Sequence, residues 1–144
     1  MNRAIIILSC FVIPAFAACG EAADWPRFLG PDANGISPET GINKDWKARP
    51  PKVLWDFPLE DRGHAGPAVA GGIVYIVDHK GEEDVVRALD LITGKDLWTF
   101  GYPESKQEDN GHARATPLVN DGRVYTVSRF GLVNCIQAKT GAKV

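Results

Sequence analysis

Gly66-Pro67-Ala68-Val69-Ala70-Gly71-Gly72-Ile73-Val74-Tyr75-Ile76-Val77 returns, 50 residues later, as Thr116-Pro117-Leu118-Val119-Asn120-Asp121-Gly122-Arg123-Val124-Tyr125-Thr126-Val127. Pro67 answers to Pro117, Gly72 to Gly122 and Tyr75 to Tyr125. Ahead of each block, Gly63-His64-Ala65 corresponds to Gly111-His112-Ala113 at an offset of 48. Behind each, Ala88-Leu89-Asp90-Leu91-Ile92-Thr93-Gly94-Lys95 matches Cys135-Ile136-Gln137-Ala138-Lys139-Thr140-Gly141-Ala142 at an offset of 47. Leu54-Trp55-Asp56-Phe57 is a third partial copy, 43 residues before Leu97-Trp98-Thr99-Phe100. Recurrence at this period is the mark of a repeat architecture.

Each unit reads as four short strands. The first lies near residues 67–70. Gly71-Gly72 and Asp121-Gly122 supply the positive φ of a two-residue hairpin turn. Residues 73–77 and 124–128 are β-branched and aromatic, as strands prefer. A third strand is expected at 85–89 and 132–136. Thr93-Gly94 and Thr140-Gly141 then turn the chain into a fourth, which carries Trp98 in the first copy. No stretch shows a 3.6-residue apolar period, so the fold class is all-β. Four strands per repeat suit a β-propeller blade, an antiparallel sheet whose apolar faces are buried on its neighbours.

The 144 residues carry 16 Lys+Arg against 18 Asp+Glu, a formal net charge of −2. That balance excludes a nucleic-acid binder acting through a basic field. Apolar residues at 44% and charged residues at 24% are ordinary for a globular chain. No apolar run reaches the roughly 18–20 residues of a membrane-spanning helix.

The chain opens as an export signal. Arg3 gives a small positive start, residues 4–13 are apolar, Pro14 breaks the run, and Ala15-Phe16-Ala17 is an Ala-x-Ala cleavage pattern. A buried helix or strand is the competing reading. Residues 1–23 are therefore taken as a signal peptide, 24–52 as an extended leader and 53–144 as propeller repeats. Cys10 lies in the segment expected to be removed. Cys135 is left without an obvious partner and is expected to pack as a small apolar residue.

Ala88-Leu89-Asp90-Leu91-Ile92-Thr93-Gly94-Lys95-Asp96-Leu97-Trp98 resembles the tryptophan-docking motif of the pyrroloquinoline-quinone-like propeller repeat, Ala-x-Asp-x-x-Thr-Gly-Lys-x-x-Trp, at every specified position. The resemblance implies that Trp98 docks one blade on the next, with Ala88, Asp90, Thr93 and Gly94 in the same girdle. It extends to Trp55, Thr140 and Gly141. The second copy has Gln137 for the Asp and Ala142 for the Lys, so the polar part of the docking does not carry over to it, while Thr140-Gly141 keeps the turn. Asp24-Trp25-Pro26-Arg27-Phe28-Leu29-Gly30-Pro31-Asp32-Ala33-Asn34-Gly35-Ile36-Ser37 resembles the leader of exported bacterial members, and is expected to lay Trp25 and Phe28 on the first blade. Phe16-Ala17-Ala18-Cys19-Gly20 resembles a lipobox with Phe where Leu is preferred, which makes Cys19 a candidate lipidation site beside a soluble exported form. About two blades do not close a ring, and the next docking Trp would fall one residue past Val144. The expectation is an N-terminal fragment of a larger propeller, with residues 54–57 as the fourth strand of its last blade.

Little in the chain speaks for chemistry. His64 and His112 hold corresponding places before the first strand of successive blades, which suggests either a ligand site at the channel mouth or two loop histidines. Two His without a carboxylate at ligand spacing do not make a zinc site, so no metal site and no catalytic residue is assigned. Arg114 could meet an anionic ligand, or be paired or solvated. Glu82-Glu83-Asp84 reads as a solvated hairpin tip without a calcium loop's spaced oxygens. The expected function is an exported binding or scaffold propeller. It would offer its loops or channel mouth to a protein or small molecule, at the periplasm or outer membrane. It would use no nucleic acid, touch a membrane only through an N-terminal lipid, and have no evident cofactor. The alternative is the N-terminal part of a quinoprotein alcohol or sugar dehydrogenase, needing pyrroloquinoline quinone and calcium. Such enzymes carry adjacent cysteines near the cofactor, and no Cys-Cys pair is present.

Overall fold

The computed structural model describes residues 22–60, 62–105 and 111–144. The cleavage pattern, Cys10 and Cys19 lie outside the described residues. Seven strands follow in chain order: β1 (Ala68–Ala70), β2 (Ile73–Lys80), β3 (Glu83–Asp90), β4 (Asp96–Pro103), β5 (Leu118–Asn120), β6 (Arg123–Val127) and β7 (Val133–Gln137). They form two antiparallel meanders, β1-β2-β3-β4 and β5-β6-β7. The fold is all-β, and the two sheets are propeller blades that do not close a ring among the described residues. The β1–β2 turn holds Gly71 and Gly72 at φ of 57° and 75°, and the β5–β6 turn holds Asp121 and Gly122 at 47° and 68°. Both central residues are left-handed, the twist that lets a two-residue turn join tightly wound strands.

Register sorts the first sheet into rows. Tyr75, Ala88 and Trp98 are cross-strand neighbours; so are Val77, Val86 and Phe100; so are His79, Asp84 and Tyr102. Because side chains alternate, all three rows point to one face. The second sheet turns Val124 and Ile136, then Thr126 and Asn134, inward as buried pairs. The core joins both sheets: Tyr75, Val77, Val86, Ala88 and Tyr102 from the first, Val124, Ile136 and Ala138 from the second. Removing these apolar side chains from water drives the sheets together. The outward face of the second sheet leaves Val127 and Val133 exposed.

Three details depart from expectation. Residues 54–57 lie in no strand: the sheet that would pair with them is not among the described residues. Strand β3 begins at Glu83 rather than 85, so Asp84 belongs to the sheet and is buried, not part of a solvated tip. The leader seats Trp25 but not Phe28. Trp25 exchanges both backbone hydrogen bonds with Val69 at 2.8 Å, and Pro26 O accepts from Val119 N at 2.8 Å. The leader thus bridges the innermost strands of both sheets. Its indole folds back over Gly30, where any Cβ would lie 2.7 Å from the ring. Phe28 is 69% exposed, because the turn that seats Trp25 swings it outward.

Candidate functional site

The seam between the sheets is built from the docking residues. Trp98 Nε1 donates to Ala138 O at 2.9 Å, and the Tyr75 hydroxyl donates to the same carbonyl at 3.2 Å. The indole lies against Gly141, whose hypothetical Cβ would come within 2.8 Å of it. A register shift between Ala88 and Leu89 leaves Leu97 bulged, which re-aims the strand at the position beside Trp98. Trp55 repeats the arrangement one repeat earlier in the sequence: Nε1 donates to Leu91 O at 2.9 Å and the ring covers Gly94. Beneath it Asp90 Oδ1 accepts from Thr93 Oγ1 at 2.7 Å, Thr93 N at 2.8 Å and Ile92 N at 3.2 Å. The Thr93 hydroxyl, then its amide, hold the Asp90 carboxyl below the usual range. In the second copy Gln137 Oε1 accepts one bond, from Thr140 Oγ1 at 3.0 Å. Ala88 is fully buried in the Trp98 row.

At the other end of the seam lies a polar row. His79 is the penultimate residue of β2 and Asp84 the second of β3, and the hairpin register sets them directly opposite. Their Nδ1 and Oδ1 are 2.9 Å apart, and His79 Nε2 lies 2.8 Å from Gly81 O. Tyr102 donates to Asp84 Oδ2 at 3.2 Å. Burial and the Asp84 charge push the Tyr102 phenol far above its ordinary value, so it stays a donor. His112 comes from the connector before β5 and stacks on His79, with centroids 3.4 Å apart and planes at 11°. The connector is held by His64 N donating to Ala113 O at 2.8 Å and by Arg129 Nη1 donating to Gly111 O at 2.6 Å. His79, Asp84 and His112 are all buried, and one ligand atom from each lies within 4.8 Å of the others. In the second sheet Asn134 Nδ2 is buried without a well-formed hydrogen bond.

The structure therefore pairs His112 with His79, not with His64, which is exposed. Sequence reading missed Asp84 and His79. The signal was there: residues flanking a tight Gly81 turn face each other across the hairpin. Arg114 is exposed, and Cys135 is a free, half-buried thiol.

A family model described as outer membrane protein assembly factor BamB (PQQ_2) matches residues 45–107 and 82–144. The chain belongs to the PQQ_2 family. A 1-butanol dehydrogenase (cytochrome c) of Thauera butanivorans is 36% identical to it over 155 residues, covering 100% of this chain and 21% of that protein. Among solved structures, a europium-containing methanol dehydrogenase superposes with a TM-score of 0.62 at 23% identity, over 86% of this chain and 23% of that one, and so shares the blade fold. A quinohemoprotein alcohol dehydrogenase from Pseudomonas putida HK5 aligns with a TM-score of only 0.40 at 28% identity, over 60% of this chain and 13% of that one. The PQQ_2 chain thus spans about a fifth of the length of the curated relative.

These relatives correct the expectation that no cofactor is evident: the relative at 36% identity is named as a dehydrogenase working with cytochrome c. The described residues of this PQQ_2 chain do not themselves fit a quinone or a hard cation. Calcium-like ions take six to eight oxygens, whereas the buried donor cluster offers two imidazoles and one carboxylate. A cleft of about 700 Å³ beside Val69, Gly71, Leu91 and Ile92 has one charged side chain, Asp24. That carboxylate would repel a polycarboxylate quinone. Among the described residues, neither this cleft nor the buried cluster offered the sequence reading a sign of the cofactor.

Proposed function

We infer that this chain is part of an exported quinoprotein dehydrogenase that oxidises a short primary alcohol and passes electrons to a cytochrome. One observation carries this reading: 36% identity running through the whole chain to a 1-butanol dehydrogenase (cytochrome c). Pyrroloquinoline quinone and a calcium or lanthanide ion would be bound by residues other than those described. The part of these residues is architectural. Trp55, Trp98, Gly94, Gly141 and the Asp90–Thr93 and Thr140 turns hold successive blades in step around the ring axis. The signal pattern at residues 1–23 supports a periplasmic address, with Cys19 lipidation as one form of it. The leader at 24–52 and the repeats at 53–144 would then open the mature protein.

A second reading has its own support, since the matching family model is described as an outer membrane assembly factor. There the blades' loops would bind a protein partner. The test uses the full gene product, purified and supplied with pyrroloquinoline quinone plus Ca²⁺ or a lanthanide. Reduction of cytochrome c that depends on 1-butanol is the expected result. Quinone that neither binds nor supports dye reduction with either metal overturns the dehydrogenase reading and leaves the scaffold.

A further inference from the structure

We propose that Glu104, facing the β6–β7 turn across the seam, forms a binding site for a protonated primary amine carried on a short apolar stem.

Alternation places the acid. Trp98, Phe100 and Tyr102 share one face of β4, because every second side chain of a strand does. Glu104 is the next member of that series, one residue past the strand. Its N–H still donates to a neighbour of β3, Glu82 O, at 2.8 Å. Its side chain therefore turns towards the second sheet, and the residue is only 6% exposed. There it lines a pocket of about 280 Å³ together with Pro103, Ser105, Ser128, Phe130 and Leu132.

The carboxylate has an unmet demand. A buried acid is costly unless it is paired or hydrogen-bonded. The other buried acids of this sheet are served: Asp84 by His79 and the Tyr102 hydroxyl, Asp78 by Arg87 at 3.2 Å. Among the described residues, no hydrogen bond or ion pair reaches the Glu104 carboxylate. The nearby cation, Arg129, donates to Gly111 O at 2.6 Å and is not part of the pocket wall. Tyr102 donates to Asp84 and so does not serve Glu104 either.

The remaining wall selects the cation. Ser128 Oγ already accepts from Phe130 N at 3.2 Å and Leu132 N at 3.1 Å, which uses both its lone pairs. The acceptors left are two carboxylate oxygens and the Ser105 hydroxyl. Three acceptors match the three donors of an ammonium group. They fall far short of the six to eight oxygens that a calcium-like ion takes. Pro103, Phe130 and Leu132 supply an apolar wall, and the last two are 49% and 45% exposed, so a stem can cover them. A volume of about 280 Å³ keeps that stem short. The ammonium could belong to a free alkylamine or to a lysine side chain of a protein partner.

The experiment titrates the full gene product, without quinone, with isopentylammonium and separately with Nα-acetyl-lysine amide. Calorimetry measures affinity, and hydrogen exchange locates the ligand. Binding of either probe, with exchange slowed across residues 128–132, is the expected result, and the tighter probe identifies the source. Isopentanol should leave exchange there unchanged. Glu104→Gln should weaken binding more than about ten-fold, the loss of a charged hydrogen-bond acceptor. Glu83→Gln, at an exposed acid of the same sheet, should not weaken it. Without ligand, Glu104→Gln should also melt higher than the wild type, since it removes a buried charge that has no partner. The proposal is overturned if neither probe slows exchange at 128–132, if Glu104→Gln binds as tightly, or if that variant melts lower, which would make the acid structural. Loss of alcohol oxidation bears on the dehydrogenase reading and leaves this site standing.

Discussion

The two docking turns make a natural experiment. Under Trp55, the turn of the first blade is tied by a carboxylate that accepts three hydrogen bonds. Under Trp98, the turn of the second is tied by an amide that accepts one. The backbones are nevertheless alike: Gly94 N donates to Asp90 O at 2.8 Å, and Gly141 N to Gln137 O at 2.9 Å. Both indoles donate at 2.9 Å to the carbonyl at the same place in the repeat, Leu91 or Ala138. What the two turns share is thus a carbonyl that accepts from an indole and a glycine beneath the ring, and not the acid. The second blade has a different aid, the Tyr75 hydroxyl on the same Ala138 carbonyl.

The sharpest way to break this comparison is at the indoles. Trp98→Ala should cost about 3 kcal/mol, the low end for a large aromatic because the ring is only half-buried. Trp55→Ala should cost less, since its segment lies in no sheet. Urea midpoints of the two variants measure this, and an equal or larger loss at Trp55 would contradict it. Next come the glycines. Ala at 141 or 94 meets an indole at 2.8 or 2.6 Å and a φ of 73° or 68°. Each should lose more than about 1 kcal/mol, and by similar amounts if the two backbones are equivalent. The smallest effects belong to the turn side chains. Gln137→Ala should stay within about 0.5 kcal/mol, while Asp90→Asn should lower the melting temperature measurably at neutral pH.

That last difference carries its own pH signature. The folded Asp90 carboxyl titrates below its unfolded value because the Thr93 hydroxyl and amide favour the charged form. Its stabilisation is present above the unfolded carboxylate range and is lost as pH falls through the folded value. The gap between wild type and Asp90→Asn should therefore close in acid. A gap that persists there would mean that the aspartate acts by shape, not by charge.

Much of the blade was legible because its causes are local. Asp121-Gly122 and Gly71-Gly72 can form only a narrow set of turns, and alternation then assigns faces without further information. Asp84 was misjudged because one residue of strand extension decides whether a hairpin acid is solvated or buried. Phe28 was misplaced because the chain turns after Pro26, where the leader leaves the strands that hold Trp25, and Phe28 is left exposed.

The amino-acid order alone determined the repeat, the turns and the all-β class, since each rests on contacts along the chain. Only tertiary structure decided that His112 meets His79 and Asp84 instead of its counterpart His64. That meeting crosses the seam, and it depends on how far one sheet slides on the other, which no local pattern records.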